Sequence, residues 1–210
     1  MKNTLIILIL ALSITLAFTK ESVKSDSVSI HEKKQDILNR HYIGSSLFIL
    51  GNLPDIGTQR PVNYGQLNYG YRLSPQAVIL AEAITWTYYE PLGTYGDSDK
   101  YYPGKVRAYG IGLGFQRFFY NKMFTSVIAT PFLQQFYDED DKEIRNGFQL
   151  YLQFILGNRL EFCKKRLFAE PGLALKYWPV NTNFPDSFAE IEKGKPKYKI
   201  EPTLTLGYKF

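Results

Sequence analysis

The chain is poor in the side chains that usually carry soft-metal or acid–base chemistry. One cysteine, Cys163, among 210 residues excludes an intramolecular disulfide and a cysteine-rich zinc site. Only two histidines are present, His31 and His41. No block of lysine and arginine stands out despite a formal charge of +5, which argues against a nucleic-acid partner. After residue 17 no apolar run is long enough for a membrane-spanning helix, which needs about 20 residues. What the chain has in abundance is aromatic: 16 Tyr and 15 Phe, well beyond what flexible, solvated segments contain.

Residues 1–17, MKNTLIILILALSITLA, combine Lys2, an unbroken apolar run over 5–12, and small residues at Thr15 and Ala17. This is the pattern of a signal peptide cut before Phe18; the alternative, an N-terminal anchor, has a run too short to span. Export is the expectation. Residues 18–40 are polar and are expected to form a periplasmic arm. From His41 the chain changes character.

In the final segment, YKIEPTLTLGYKF, Tyr198, Ile200, Pro202, Leu204, Leu206, Tyr208 and Phe210 share one parity, and Lys199, Glu201, Thr203, Thr205, Gly207 and Lys209 the other. Strict period two predicts a strand with two different environments, and thirteen residues at about 3.3 Å each suit a tilted membrane strand. The same alternation runs through 64–73, 109–119, 146–162 and 166–177. Segments 41–50, 76–88 and 122–136 read as strands whose faces stay unassigned. Eight strands result. The links at 73–76, 120–122 and 163–165 are short, those at 51–61, 89–104, 137–142 and 179–197 longer, and the two kinds alternate.

A soluble barrel would put its apolar side chains inside. Here Gly110, Gly112, Gly114, Gly147, Gly157, Gly172 and Gly207 share the polar parity, which suits the interior of a narrow eight-stranded barrel. The expected fold is therefore all-β: an eight-stranded antiparallel, transmembrane, up-and-down β-barrel with short periplasmic turns and longer extracellular loops. The expected location is the outer membrane of a Gram-negative bacterium.

With these features the chain resembles small bacterial outer-membrane β-barrels of the OmpA/OmpX-like eight-stranded type. Its last strand is similar to the C-terminal signal that such barrels present to the barrel assembly machinery, with Leu204, Leu206, Tyr208 and Phe210 in the alternating apolar positions. The stretch EPGLALKYWP…NTNFP…EPTLTLGYKF also resembles uncharacterised barrels of Bacteroidota. The resemblance implies architecture and location, outer-membrane lipid and lipopolysaccharide as surroundings, and a monomer; it assigns no activity.

Lipid A-modifying barrels need a base near the outer leaflet. His31 lies in the arm and His41 at the periplasmic end, so an enzyme is not expected. No cofactor or metal is expected either. The inward parity carries Arg72, Glu82, Arg145, Arg159, Glu161, Arg166, Glu170, Lys176, Lys199 and Glu201, read as a mutually neutralising ladder in the lumen, with an ion path or proton-linked site as the functional alternative. Asp138, Glu139, Asp140 and Asp141 read as a solvated acidic loop rather than a divalent-cation site. Tyr95, Tyr101 and Tyr102 read as part of an interfacial aromatic girdle before a partner-binding tip. Phe118, Tyr151, Ile155 and Phe168 would plug a channel. The expected function is a non-enzymatic surface barrel, structural or binding through its outer loops, with transport of small or hydrophobic molecules as the alternative.

Overall fold

The computed structural model describes residues 40–52, 62–96 and 100–210. The expected signal peptide and all of the expected arm but Arg40 lie outside them. The described chain is an all-β antiparallel sheet of nine strands: β1 (His41–Ser46), β2 (Gly65–Ser74), β3 (Ala77–Tyr88), β4 (Lys105–Phe118), β5 (Met123–Tyr137), β6 (Glu143–Asn158), β7 (Leu160–Phe162), β8 (Leu167–Asn181) and β9 (Tyr198–Lys209), with one short helix, α1 (Asp186–Glu192), before the last strand. No described helix is long and apolar enough to cross a membrane.

Consecutive strands pair from β1 to β6; β6 pairs with β8, β8 with β9, and β9 returns to β1. Eight strands thus close in a barrel-like ring. Closure matters energetically because each strand of a closed ring has a hydrogen-bonding neighbour on both sides, so no long sheet edge is left unpaired. The ninth strand, β7, is a three-residue continuation of β6 past a break at Arg159, and it pairs with the start of β8. Short turns lie at one end of the ring, where His41 and Phe210 also exchange two backbone hydrogen bonds of 3.2 and 2.9 Å. The longer connections lie at the other end.

Burial alternates with period two along the strands. In β5, Phe124, Ser126, Ile128, Thr130, Phe132, Gln134 and Phe136 all point inward and are buried. In β3 the inward set includes Val78, Leu80, Glu82, Ile84 and Tyr88. These strands hid their faces in the sequence because the interior itself is half apolar. Outward stand Leu67, Ile79, Ile111, Leu113, Leu133, Leu173, Ile200 and Leu206, all exposed, with Ile111 at 73 %. The segment expected as a strand over 41–50 stops at Ser46; Leu47–Asn52 instead forms a 3-10 turn.

The inward glycines have a steric cause. Tyr42 is paired across strands with Gly70, Phe168 with Gly207, Phe124 with Gly157 and Phe132 with Gly110. In each pair the ring lies over the glycine. A Cβ on Gly70 would fall 2.1 Å from the Tyr42 ring, and one on Gly207 2.1 Å from Phe168 Cζ. Glycine is therefore what lets so many rings fit inside eight strands.

Candidate functional site

The interior divides into an aromatic plug at each end and a polar belt between. At the turn end, Arg159 is 1 % exposed. Its guanidinium carbon lies 4.7 Å from the Tyr42 ring centroid, 4.7 Å from Phe118 and 4.3 Å from Phe168. Its Nε donates to Glu170 Oε1 at 2.7 Å and one terminal nitrogen donates to Gln116 Oε1 at 3.2 Å. Gln116 in turn donates to the same Glu170 oxygen at 3.0 Å. The guanidinium is thus neutralised, hydrogen-bonded and enclosed by rings, which makes so deep a burial of a cation tolerable.

In the belt, Glu82 is 3 % exposed. Gln66 Nε2 donates to it at 3.0 Å, Gln153 Nε2 at 3.2 and 3.4 Å to its two oxygens, and the Thr130 hydroxyl donates to Oε1. Lys176 pairs with Glu201, and Lys199 donates to the Tyr95 carbonyl near the long-loop end. Glu82, Gln66, Gln153, Lys176, Glu201 and Lys199 line a cavity of about 70 Å³ together with Tyr64, Tyr151, Trp86 and Trp178.

The long-loop end is stoppered by α1. Pro185 fixes the backbone that starts the helix, and its carbonyl accepts from Phe188 N at 2.9 Å and Ala189 N at 2.8 Å. Gly194, at φ 78°, follows the helix and takes the left-handed conformation that a side chain disfavours. The helix delivers Phe188, fully buried, onto Tyr102 (ring centroids 4.8 Å, stacked) and against Phe136 (5.6 Å, edge-on). The Tyr102 hydroxyl donates to the Glu192 carboxylate. Burial holds the Glu192 carboxyl above the ordinary glutamate range, and burial together with the Glu192 charge holds the Tyr102 phenol far above the ordinary tyrosine range.

The expected charge ladder resolves into separate groups. Glu170 and Arg159 form one; Lys176 and Glu201, on adjacent strands β8 and β9, a second; and Glu161 with Lys209 and Lys122 a third at the turn end, where Lys122 Nζ lies 2.6 Å from Glu161. Glu82 stands apart, held by neutral donors. Arg72 lies inward with its guanidinium 5.7 Å from the Phe118 ring. Arg145, expected in the lumen, is exposed and donates to the Phe184 carbonyl at 3.1 Å. The reason is that the β5–β6 hairpin projects past the ring: β6 meets β8 only from Gln149 onward. Arg166, also expected inward, is exposed in the turn that precedes β8, 3.5 Å from the Tyr208 hydroxyl. Tyr102 belongs to the inner stopper rather than to a surface girdle, whereas Tyr101 is exposed. Leu206, Tyr208 and Phe210 face outward and exposed, with Leu204 half-buried on the same face.

Asp138 turns back on its own hairpin, its Oδ1 accepting from Asp140 N at 3.0 Å and Lys142 N at 2.9 Å. Phe118, Tyr151, Ile155 and Phe168 all point inward. His41 Nδ1 lies 2.6 Å from the Tyr69 hydroxyl and its ring stacks on Phe210, at the turn end. Sequence reasoning missed Thr130, Lys209, Phe188 and Glu192. Thr130 alternates with Phe132 inside β5, and α1 is too short to announce itself by periodicity. Compared with family models, curated proteins and solved structures, the chain matches none, so its reading rests on this geometry.

Proposed function

We propose that this chain is a small outer-membrane β-barrel whose outward face meets lipid, whose short turns face the periplasm, and which acts without catalysis, as a structural or surface-binding protein through its long-loop end. One observation carries the reading: large apolar side chains stand outward on neighbouring strands while the buried interior holds Arg159, Glu82, Glu170 and a series of glutamines. Water would leave such a continuous apolar surface costly, since exposed patches on soluble monomers rarely exceed a few hundred Å². A bilayer reverses that preference, and a closed ring satisfies the backbone within it. Lipopolysaccharide as a neighbour, the assembly machinery as the receptor of Leu204, Leu206, Tyr208 and Phe210, and the Gram-negative outer membrane as the location belong to the same proposal.

The aromatic plug around Arg159 and the stopper around Phe188 favour a closed interior over a transport pore. The test is to fold the full chain into phospholipid vesicles and run it unboiled and boiled on a denaturing gel, then to record it in planar bilayers. A heat-dependent change of mobility without steady conductance steps is expected. Steady unitary steps overturn the closed interior. Failure to insert, with a monodisperse protein in plain buffer, overturns the membrane reading.

A further inference from the structure

The two ends of the ring carry different charge. At the turn end Arg40, Lys122, Lys164, Lys165 and Arg166 are exposed, and no exposed acidic side chain stands among them within the described residues. The acid of this rim, Glu161, is half-buried and already holds Lys122 and Lys209. Arg40, Lys164 and Arg166 make no ion pair among the described residues. Backbone hydrogen bonds set these positions around one rim: Arg72 N donates to Arg40 O and Lys209 N to Arg166 O, each at 2.8 Å, and Arg159 N donates to Lys122 O at 3.0 Å. At the long-loop end, by contrast, the exposed cations are interleaved with Glu139, Asp140, Asp141, Glu143, Asp186 and Glu190, all exposed.

Cations gathered on one rim repel one another, so a surface of opposite sign stabilises the arrangement. Two observations say what that surface is. Aromatic side chains stand exposed among the cations: Phe119 and Tyr120 in the turn that holds Lys122, with Tyr120 at 80 %, Phe162 next to Cys163, and Phe210 beside His41. The rim also borders the outward apolar face directly, where Leu73, Leu160 and Leu167 are exposed. A dissolved polyanion would engage the cations alone. A bilayer interface engages both, because aromatic rings settle at headgroup depth and lysine and arginine are drawn to anionic lipid.

We propose that the turn end is a docking surface for anionic phospholipid headgroups, with Arg40, Lys164 and Arg166 gathering lipid phosphates around the rim. This rests on the reading that the outward face meets lipid. The chain's single cysteine, Cys163, is exposed within the rim and takes a fluorophore there. The full chain so labelled is folded into phosphatidylcholine vesicles. Heat-dependent mobility first establishes insertion, which keeps a failure of the membrane reading separate from a failure of this one. Emission is then read with equal small fractions of phosphatidylglycerol or phosphatidylcholine bearing a nitroxide near the headgroup end of one acyl chain, at low and at high salt.

At low salt the phosphatidylglycerol nitroxide is expected to quench as if about fivefold more concentrated around Cys163 than the phosphatidylcholine one, the preference that one cation at an anionic surface supplies. High salt moves that ratio toward parity. The combined variant Arg40→Gln, Lys164→Gln and Arg166→Gln breaks no ion pair among the described residues and brings the ratio to about twofold or less. Equal quenching by the two lipids at low salt in the inserted wild-type chain overturns the proposal, as does a ratio that high salt leaves unchanged. An undiminished ratio in the combined variant also overturns it, or in Lys164→Gln alone should the combined variant fail to fold. Equal quenching together with an emission change on adding long-chain polyphosphate overturns it in favour of a dissolved polyanion.

Discussion

Replacing Ile111 with arginine asks what the outward face touches. Ile111 is the seventh of fourteen residues of β4, and it stands outward at 73 % exposure between Ala83 of β3 and the outward residues of β5. The substitution breaks no contact of the interior and, on a surface in water, costs within about 0.5 kcal/mol of nothing. Midway along a strand in hydrocarbon, the same arginine costs about 2–4 kcal/mol, because a guanidinium must be solvated where no water reaches. That is a change of about thirty-fold to several-hundred-fold in the folding equilibrium constant. Leu73→Arg, near the end of β2 beside a short turn, is the depth control, with an expected cost of about 0–1 kcal/mol. The assay is equilibrium urea unfolding of both variants in phospholipid vesicles, followed by tryptophan emission, comparing midpoints at constant slope. Equal costs at the two positions, or a cost for Ile111→Arg below about 0.5 kcal/mol in vesicles, would refute the reasoning.

Two further outcomes follow from the interior. Glu170→Ala strands the Arg159 charge among three rings and should cost about 3–5 kcal/mol, whereas the joint replacement Arg159→Met with Glu170→Leu should be far milder; unfolding midpoints in detergent decide, and equal losses in the two variants count against the plug described above. For α1, the folded Glu192 carboxyl keeps its proton to higher pH than the unfolded one, so its contribution to docking is full below the unfolded value of about 4.3 and is lost as pH rises through the raised folded value. Amide exchange at Phe188 and Ala189, corrected for intrinsic rates, should therefore slow as pH falls from neutral, and Glu192→Gln, which keeps an acceptor for Tyr102, should flatten that dependence; protection that grows with pH would contradict it.

Much of this architecture was readable in the sequence where one face of a strand is polar or small throughout. The alternation in β2, β4, β6, β8 and β9 holds because Gln66, Gly112, Gln153, Glu170 and Glu201 contrast with Leu67, Ile111, Phe154, Leu173 and Ile200. In β3 and β5 the contrast fails. Inward Val78, Leu80, Ile128 and Phe132 are as apolar as their outward neighbours, because the aromatic plugs demand it. Residues 47–50 looked like strand for the same reason: apolar residues carry no record of whether they continue a ladder or turn away from it. Arg145 was misplaced because parity gives direction but not height, and nothing in the residues says that the β5–β6 hairpin outgrows its neighbours.

The pairing of rings with glycines bears on what the interior can do. A channel needs a continuous wet path, yet Tyr42 and Phe168 meet edge-on at 5.1 Å and enclose Arg159 together with Phe118. Each of the two rings is lodged over a glycine of the neighbouring strand. Opening that end requires moving rings that the wall is shaped to receive, and separating Arg159 from Glu170. The second step alone costs about 3–5 kcal/mol, which leaves roughly one molecule in a hundred or fewer open at rest. The opposite end is sealed by a different device, a seven-residue helix that seats Phe188 on Tyr102 and Phe136, with Phe184 also packed on Phe136 and the buried Tyr102 hydroxyl donating to Glu192. Of the two seals, the α1 seal is the one that hangs from a connecting segment rather than from paired strands and that contains no buried ion pair among the described residues, and segments of that kind open first. Any opening of the interior to the surroundings therefore belongs to the long-loop end, the same end at which the proposed surface binding would take place.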